Sequence, residues 1–162
     1  MSAADELLRA NSLYASHFTK GALPAAPARH LAVVTCMDAR IDPAKALGLD
    51  EGDAHVIRNA GGLVTDDALR SLAISHWELG TEEVVVIAHT RCGLLTLDED
   101  RLREKIGPQA GGVQFLPFRD LDAGVRESVR RVRESPLLPD SFGATGMVYD
   151  VESGRARVVE DA

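Results

Sequence analysis

The stretch Thr65-Asp-Asp-Ala-Leu-Arg-Ser-Leu-Ala-Ile-Ser-His-Trp-Glu-Leu-Gly80, with Glu83-Val-Val-Val-Ile-Ala88 just beyond it, decides the fold. Thr65 suits the cap of a helix, where its hydroxyl accepts from a free amide, and Asp66 and Asp67 favour the positive end of the helix dipole. Leu69, Leu72, Ala73, His76 and Trp77 recur at helical spacing until Gly80 stops the run. Glu83 to Ala88 is apolar after its first residue, as in a strand buried on both faces. Leu31-Ala-Val-Val-Thr-Cys36 has the same character, and Ala54 to Arg58 reads as another strand. Strand, turn, helix and strand make a βαβ unit. The expected fold is therefore α/β, a parallel sheet covered on both faces by helices.

Working outward, Asp42-Pro43 opens a short helical turn to Leu47, with Asp as cap and Pro at the first position. Asn59-Ala60-Gly61-Gly62 reads as a tight turn, where glycine permits positive φ or a close backbone approach. Helices are expected over Asp98 to Ile106, ended by Gly107-Pro108, and over Asp120 to Glu134, stopped by Pro136. Between them, Gly111 to Pro117 is irregular. Arg126, Arg130, Arg131 and Arg133 are interrupted by Glu127 and Glu134 and read as a solvated helix face. Met147 to Val151 and Arg155 to Val159 flank Glu152-Ser153-Gly154, which predicts a C-terminal strand or hairpin.

At the other end, residues 3 to 18 carry Leu7, Leu8, Tyr14 and Phe18 at helical spacings, with Ser2 as candidate cap. Gly21 to Arg29, holding Pro24 and Pro27, is an extended arm. A helix set before such an arm cannot bury its own stripe, so residues 1 to 29 are expected to pack on a partner subunit. The chain of 162 residues is otherwise read as one domain.

Hydrophobic content of 45% beside 27% charged residues is globular. The formal charge of −7 argues against nonspecific binding to nucleic acid or an anionic membrane, since both want a basic face. No apolar run approaches the roughly 20 residues that span a bilayer. Met1 to Lys20 lacks the continuous apolar core of a secretion signal, so a cytoplasmic location is expected. There the two cysteines, Cys36 and Cys92, would remain thiols available to a metal or to catalysis.

Cys36 closes the first predicted strand, His89 follows the third, and Cys92 stands three residues beyond. In open parallel sheets functional side chains gather beyond the carboxyl ends of the strands. Alone, each residue has a bland reading, a small buried hydrophobe or an interior histidine. Together, with Asp38 and Arg40 beside the first, they read as a centre for Zn²⁺, which takes two thiolates and an imidazole and leaves one position open. A free Asp38 carboxylate could close that position. Arg40 can hold Asp38 off in a bidentate pair, leaving it to orient a water on the metal. Gly61 and Gly62 are candidates to line a pocket through their backbone, with Val64 as an apolar wall. His17, His30, His55 and His76 read as structural or exposed.

Cys36-x-Asp38-x-Arg40 followed by His89-x-x-Cys92 resembles the β-class carbonic anhydrases. His55-Val-Ile-Arg-Asn-Ala-Gly-Gly62, Val64-Thr-Asp-Asp-Ala-Leu-Arg-Ser-Leu72 and Tyr149-Asp-Val-x-Ser-Gly154 extend the resemblance over most of His30 to Val159. It implies a parallel sheet wrapped by helices, one zinc per chain, and a homodimer or higher even oligomer whose N-terminal helix reaches onto the partner. It also implies reversible hydration of CO₂ to bicarbonate by a zinc-bound hydroxide, with the Asp38–Arg40 pair orienting the water or gating the metal. Ala39 departs from the serine of many relatives, and Arg91 adds a positive charge within His-x-x-Cys. Both bear on substrate choice, because relatives hydrolyse carbonyl sulfide or carbon disulfide with the same ligands. A non-catalytic zinc-binding protein, with Asp38 always on the metal, is the rival from another class. Thiol redox chemistry is disfavoured, since there is no Cys-x-x-Cys pair.

Overall fold

Four parallel strands, β1 (Leu31–Cys36), β2 (Ala54–Asn59), β3 (Glu83–His89) and β4 (Gly143–Tyr149), form one sheet with β5 (Ala156–Val158), which runs antiparallel to β4. The structure is a computed structural model and describes residues 2–160 and 162. The order across the sheet is β2-β1-β3-β4-β5. Thr35 of β1 lies opposite Ile87 of β3, so the next residue of the first strand and the last of the third reach the same rim. The two predicted metal-bearing strands are therefore neighbours despite the long stretch of chain between them.

Ala32, Val33, Val34 and Val84 have no exposed surface, as the apolar runs require of central strands. Ala32, Val34, Val84 and Val86 pack with Leu72 of α3 (Asp66–Trp77) and with Val125, Val129 and Val132 of α5 (Leu121–Arg133). Full burial of each such valine is worth about 1.5–3 kcal/mol. On the opposite face Leu31, Val33 and Ile87 meet Leu47, at the end of α2 (Pro43–Leu47), and Leu49. Cover is incomplete at the edge, where β2 is half-buried and Val56 is exposed. The sheet is flanked by helices as expected, with Ile57 of β2 still packed on the helical core.

The helix ends follow the polar residues that flank them. Thr65 caps α3 by accepting from the Ala68 amide at 3.3 Å, and Asp120 caps α5 through Ala123 at 2.9 Å. Asp98 caps α4 (Glu99–Ile106), and Asp42 with Pro43 starts α2, which Gly48 ends in the left-handed region. The helix α1 (Ala3–Ala15) has a capping box between Ser2 and Asp5. It stops three residues short of Phe18, where the sequence predicted its end, and buries none of its side chains. The arm behind it is bonded to the sheet edge, Ala28 donating to the Gly52 carbonyl and Arg29 to that of Asp53.

The predicted hairpin is shifted. Its first strand begins at Gly143 rather than Met147, ends at Tyr149 rather than Val151, and is a full parallel member of the sheet beside β3. Gly143-Ala-Thr-Gly146 lacks the bulky pattern of a strand because α5 crosses closely there: a Cβ at Gly146 would overlap Val125. Of the α5 arginines, Arg130 pairs with Glu127 and Glu134 and Arg131 with Asp66, while Arg126 and Arg133 donate to main-chain carbonyls. Among the described residues, no helix is long and apolar enough to cross a membrane.

Candidate metal centre

Cys36, the last residue of β1, is opposite Asn59 of β2. Behind it the 3-10 turn Ala60–Gly62 brings Gly62, at φ +65°, against the sheet. A Cβ there would lie 2.8 Å from the Cys36 backbone nitrogen and 2.9 Å from the Ile87 carbonyl oxygen, so only glycine fits this approach. His89, the last residue of β3, is completely buried. Arg91 then adopts φ +55°, a left-handed turn that returns the chain to place Cys92.

The two Sγ atoms and a ring nitrogen of His89 all lie within 4.8 Å of one another, and all three residues are buried. Both cysteines are free thiols. His89 Nδ1 lies 2.9 Å from the Thr90 carbonyl, which can only accept, so Nδ1 carries the proton and Nε2 presents its lone pair. Nε2 is buried without a hydrogen-bond partner, the one such side-chain atom among the described residues. An orphaned buried polar atom costs on the order of 1–3 kcal/mol, a cost an ion between the thiols would relieve. Burial lowers the pKa of His89, favouring the neutral imidazole that can ligate, and raises that of the Cys92 thiol. The donor set is therefore soft, neutral at the imidazole, and fits zinc.

Asp38 faces this group, with Oδ2 3.8 Å from His89 Nε2. Arg40 holds it through two side-chain bonds, Nε to Oδ1 at 2.9 Å and Nη2 to Oδ2 at 2.7 Å, while the Arg40 amide donates to Oδ1 at 3.0 Å. These bonds, the guanidinium first, hold the Asp38 carboxyl far below the usual carboxylate range. Arg40 Nη2 also donates to the Arg91 carbonyl at 3.1 Å, linking the Asp38 loop to the His89–Cys92 loop.

Several residues that act here carry no signal in the sequence. Arg58 donates to the carbonyls of Cys36 at 2.9 Å and Asp38 at 2.8 Å, pinning the segment between them. Its position in a strand hid this role, because the partners are main-chain atoms. Leu94, Leu95, Phe118, Tyr149 and Val151 pack around Cys36 and Cys92 as an apolar collar. Gly61 and Gly62 line a narrow apolar recess with Leu63 and Phe118. Val64 does not line that recess; it lies 2% exposed in the main core, its amide donating to Ser128. The other histidines make local bonds: His30 to the Gly80 carbonyl, His55 to Ser75 and the Ala25 carbonyl, and His76 to the Thr81 carbonyl. His17 is exposed.

A parallel α/β sheet whose strand ends converge two thiols and an imidazole defines a metal-dependent enzyme of the open-sheet class. Comparison narrows this. The family model described as carbonic anhydrase matches residues 31–112. The chain is 44% identical over 162 residues to "Beta-carbonic anhydrase 1" of Mycobacterium tuberculosis, covering 98% of this chain and 99% of that protein. It is 36% identical over 152 residues to "Carbon disulfide hydrolase" of Acidithiobacillus thiooxidans, covering 80% of this chain and 76% of the relative. The crystal structure of carbonic anhydrase from Streptococcus mutans superposes with a TM-score of 0.93 at 44% identity, over 99% of both chains. This chain belongs to the β-carbonic anhydrase family.

Proposed function

We propose that Cys36, His89 and Cys92 hold one zinc ion per chain, and that Asp38, restrained by Arg40, governs the position left open. The chain is a zinc-dependent carbonic anhydrase, interconverting carbon dioxide and water with bicarbonate and a proton. The observation that carries the assignment is the buried, unpartnered His89 Nε2 set between two free thiols. Zinc at this site supplies Lewis acidity that makes water nucleophilic near neutral pH, carbonic anhydrase being the reference case for that effect.

The chain's own residues do the rest. Two thiolates and a neutral imidazole balance the charge of the ion, so the centre carries no net charge to attract or repel an uncharged gas. Asp38, held ionised, would accept a hydrogen bond from a water bound to the ion and orient it. Arg40 engages both carboxylate oxygens and so keeps Asp38 from becoming a fourth ligand. Leu94 and Phe118, next to Gly61, provide an apolar wall suited to a small linear substrate. The exposed apolar residues of α1, Leu7, Leu8 and Leu13, fit packing on a second copy, giving a homodimer or a higher even oligomer. Two buried free thiols fit residence in the reducing cytoplasm.

A second reading, hydrolysis of carbon disulfide or carbonyl sulfide, is carried by the similarity to carbon disulfide hydrolases. Stopped-flow hydration of CO₂ by zinc-loaded protein, with both sulfur substrates alongside, separates the two. Dominant turnover of CO₂ is expected. A dominant rate on a sulfur substrate would favour the second reading, and no turnover of any of them would favour a zinc-binding protein without catalysis.

A further inference from the structure

The Tyr149-Asp-Val-x-Ser-Gly154 segment sits beside the metal loop, and its bonds have a direction. His89 Nδ1 donates to the Thr90 carbonyl at 2.9 Å, so that carbonyl decides which imidazole nitrogen is free. Thr90 is itself fixed by three bonds to the end of β4. Its amide donates to the Tyr149 carbonyl at 2.9 Å, its hydroxyl donates to Asp150 Oδ1 at 3.0 Å, and the same hydroxyl accepts from the Val151 amide at 3.1 Å. Asp150 is held in turn by the Glu152 amide at 3.1 Å and the Ser153 hydroxyl at 2.6 Å, within a turn closed by Gly154 donating to the Asp150 carbonyl. On the far side of Thr90, Arg91 pairs with Glu152 at 2.9 Å.

We propose that Asp150 and Thr90 are positioning residues of the metal centre, fixing the His89 tautomer and ring orientation through the Thr90 carbonyl. The physical need is simple. A neutral imidazole in solution exchanges its proton between Nδ1 and Nε2, and the form protonated at Nε2 cannot offer that atom to a metal. Thr90 lies in a turn, and its carbonyl belongs to the Thr90–Arg91 peptide, whose orientation is set by how Thr90 and Arg91 are held on either side of it. Thr90 is held on both its amide and its side chain, and Asp150 is the anchor of the side-chain bond. The turn after β4 is thus a template against which the loop joining His89 to Cys92 is set. A purely structural role for Asp150 would close the same turn without acting on His89.

The proposal rests on the reading that Cys36, His89 and Cys92 hold zinc, and its test keeps the two apart. In zinc-free full-length chain, long-range ¹⁵N NMR of the imidazole reports the His89 tautomer directly. Zinc affinity is measured by competition with a chromophoric chelator, and thermal midpoints of the zinc-free variants monitor the fold. The wild-type chain is expected to hold His89 protonated at Nδ1. Thr90→Val keeps the shape and removes the hydroxyl, and should mix the tautomers and weaken zinc about 10- to 100-fold, the usual cost of losing an outer partner of a ligand. Asp150→Ala should act in the same direction, and Thr90→Ser, which retains the hydroxyl, should restore wild-type behaviour. Wild-type tautomer and affinity in Thr90→Val or Asp150→Ala would overturn the proposal. So would a Thr90→Ser as impaired as Thr90→Val, or a loss of thermal stability with the tautomer unmoved. A wild-type chain that binds no zinc would sink the zinc reading instead, while the tautomer in zinc-free protein would still decide this one.

Discussion

The strand ends around Cys36 and the N-terminal helix α1 are both made of short, ordinary segments, yet one is closed and the other open. At the strand ends, His89 is fully buried, Asp38 is held by three bonds from Arg40, and Arg58 and Gly62 pin the chain on either side of Cys36. In α1, Leu7, Leu8 and Leu13 are between 65% and 71% exposed, and the contact with the rest of the chain at this end is through Tyr14 and Lys20 on Glu51. The first region is completed by the chain's own fold, whereas the second has local helix structure but, among the described residues, buries none of its side chains. If α1 carries the proposed assembly, chemistry and assembly are separable. Variants should damage one while leaving the other.

The largest effect is expected from the ligands. His89→Ala or Cys92→Ser should abolish stoichiometric zinc in metal analysis and lower CO₂ hydration by on the order of 10²-fold or more, since losing even an outer partner of a ligand costs about 10- to 100-fold. Sedimentation of these variants should match that of the wild type, and a change in association would break the separation. Arg40→Ala comes next. Freed from its two side-chain bonds, Asp38 should close the metal, cutting hydration roughly 10- to 100-fold while zinc content is kept. Full activity in that variant would contradict the gating role of the pair.

Gly62→Ala tests the backbone behind the site. Its positive φ and the contact with the Cys36 nitrogen should destabilise the fold by more than about 1 kcal/mol, read as a lower thermal midpoint. Leu8→Glu with Leu13→Glu tests the other region: sedimentation should show weakened association. The fold of the single chain should change by no more than about 0.5 kcal/mol, as at other exposed positions.

The smallest effects are those of pH. Burial raises the Cys92 thiol, so zinc-free protein is protonated there at neutral pH and loading must release the proton. Zinc affinity should therefore rise with pH, as competition titrations would show; a flat profile would contradict it. Folding lowers the Asp38 carboxyl, so its stabilising contribution is present above the ordinary value of about 3.9 and is lost as pH falls toward the depressed one. The stability difference between wild type and Asp38→Asn should accordingly shrink in acid.

The same contrast explains what could be read in the chain. Apolar runs ending at Cys36 and His89 place both on one rim, because buried parallel strands must look apolar and must deliver their ends together. The caps at Thr65 and Asp42 were equally legible, whereas Asp98 and Asp120, expected as the first helical residues, turn out to be caps that bond the amides three residues on. The start of β4 was not, since Gly143 to Gly146 is shaped by the approach of α5 rather than by strand propensity. The roles of Arg58, Thr90 and Asp150 were hidden for a related reason. Each acts on a backbone group, or on another side chain, distant in sequence, and no spacing rule points to such a partner. The collar of Leu94 and Phe118 comes from a single 3-10 turn and a loop, too short and irregular for a hydrophobic period to carry a signal.

The central claim is that this fold brings Cys36, His89 and Cys92 onto one zinc ion while Arg40 keeps Asp38 off it. X-ray absorption at the zinc edge of the loaded full-length protein, compared with Arg40→Ala, tests it most directly. The expected wild-type shell is two sulfur atoms, one imidazole nitrogen and one water oxygen, with the water replaced by a carboxylate in Arg40→Ala. A wild-type shell with fewer than two sulfurs, or one already closed by a carboxylate and unchanged in the variant, would contradict the account.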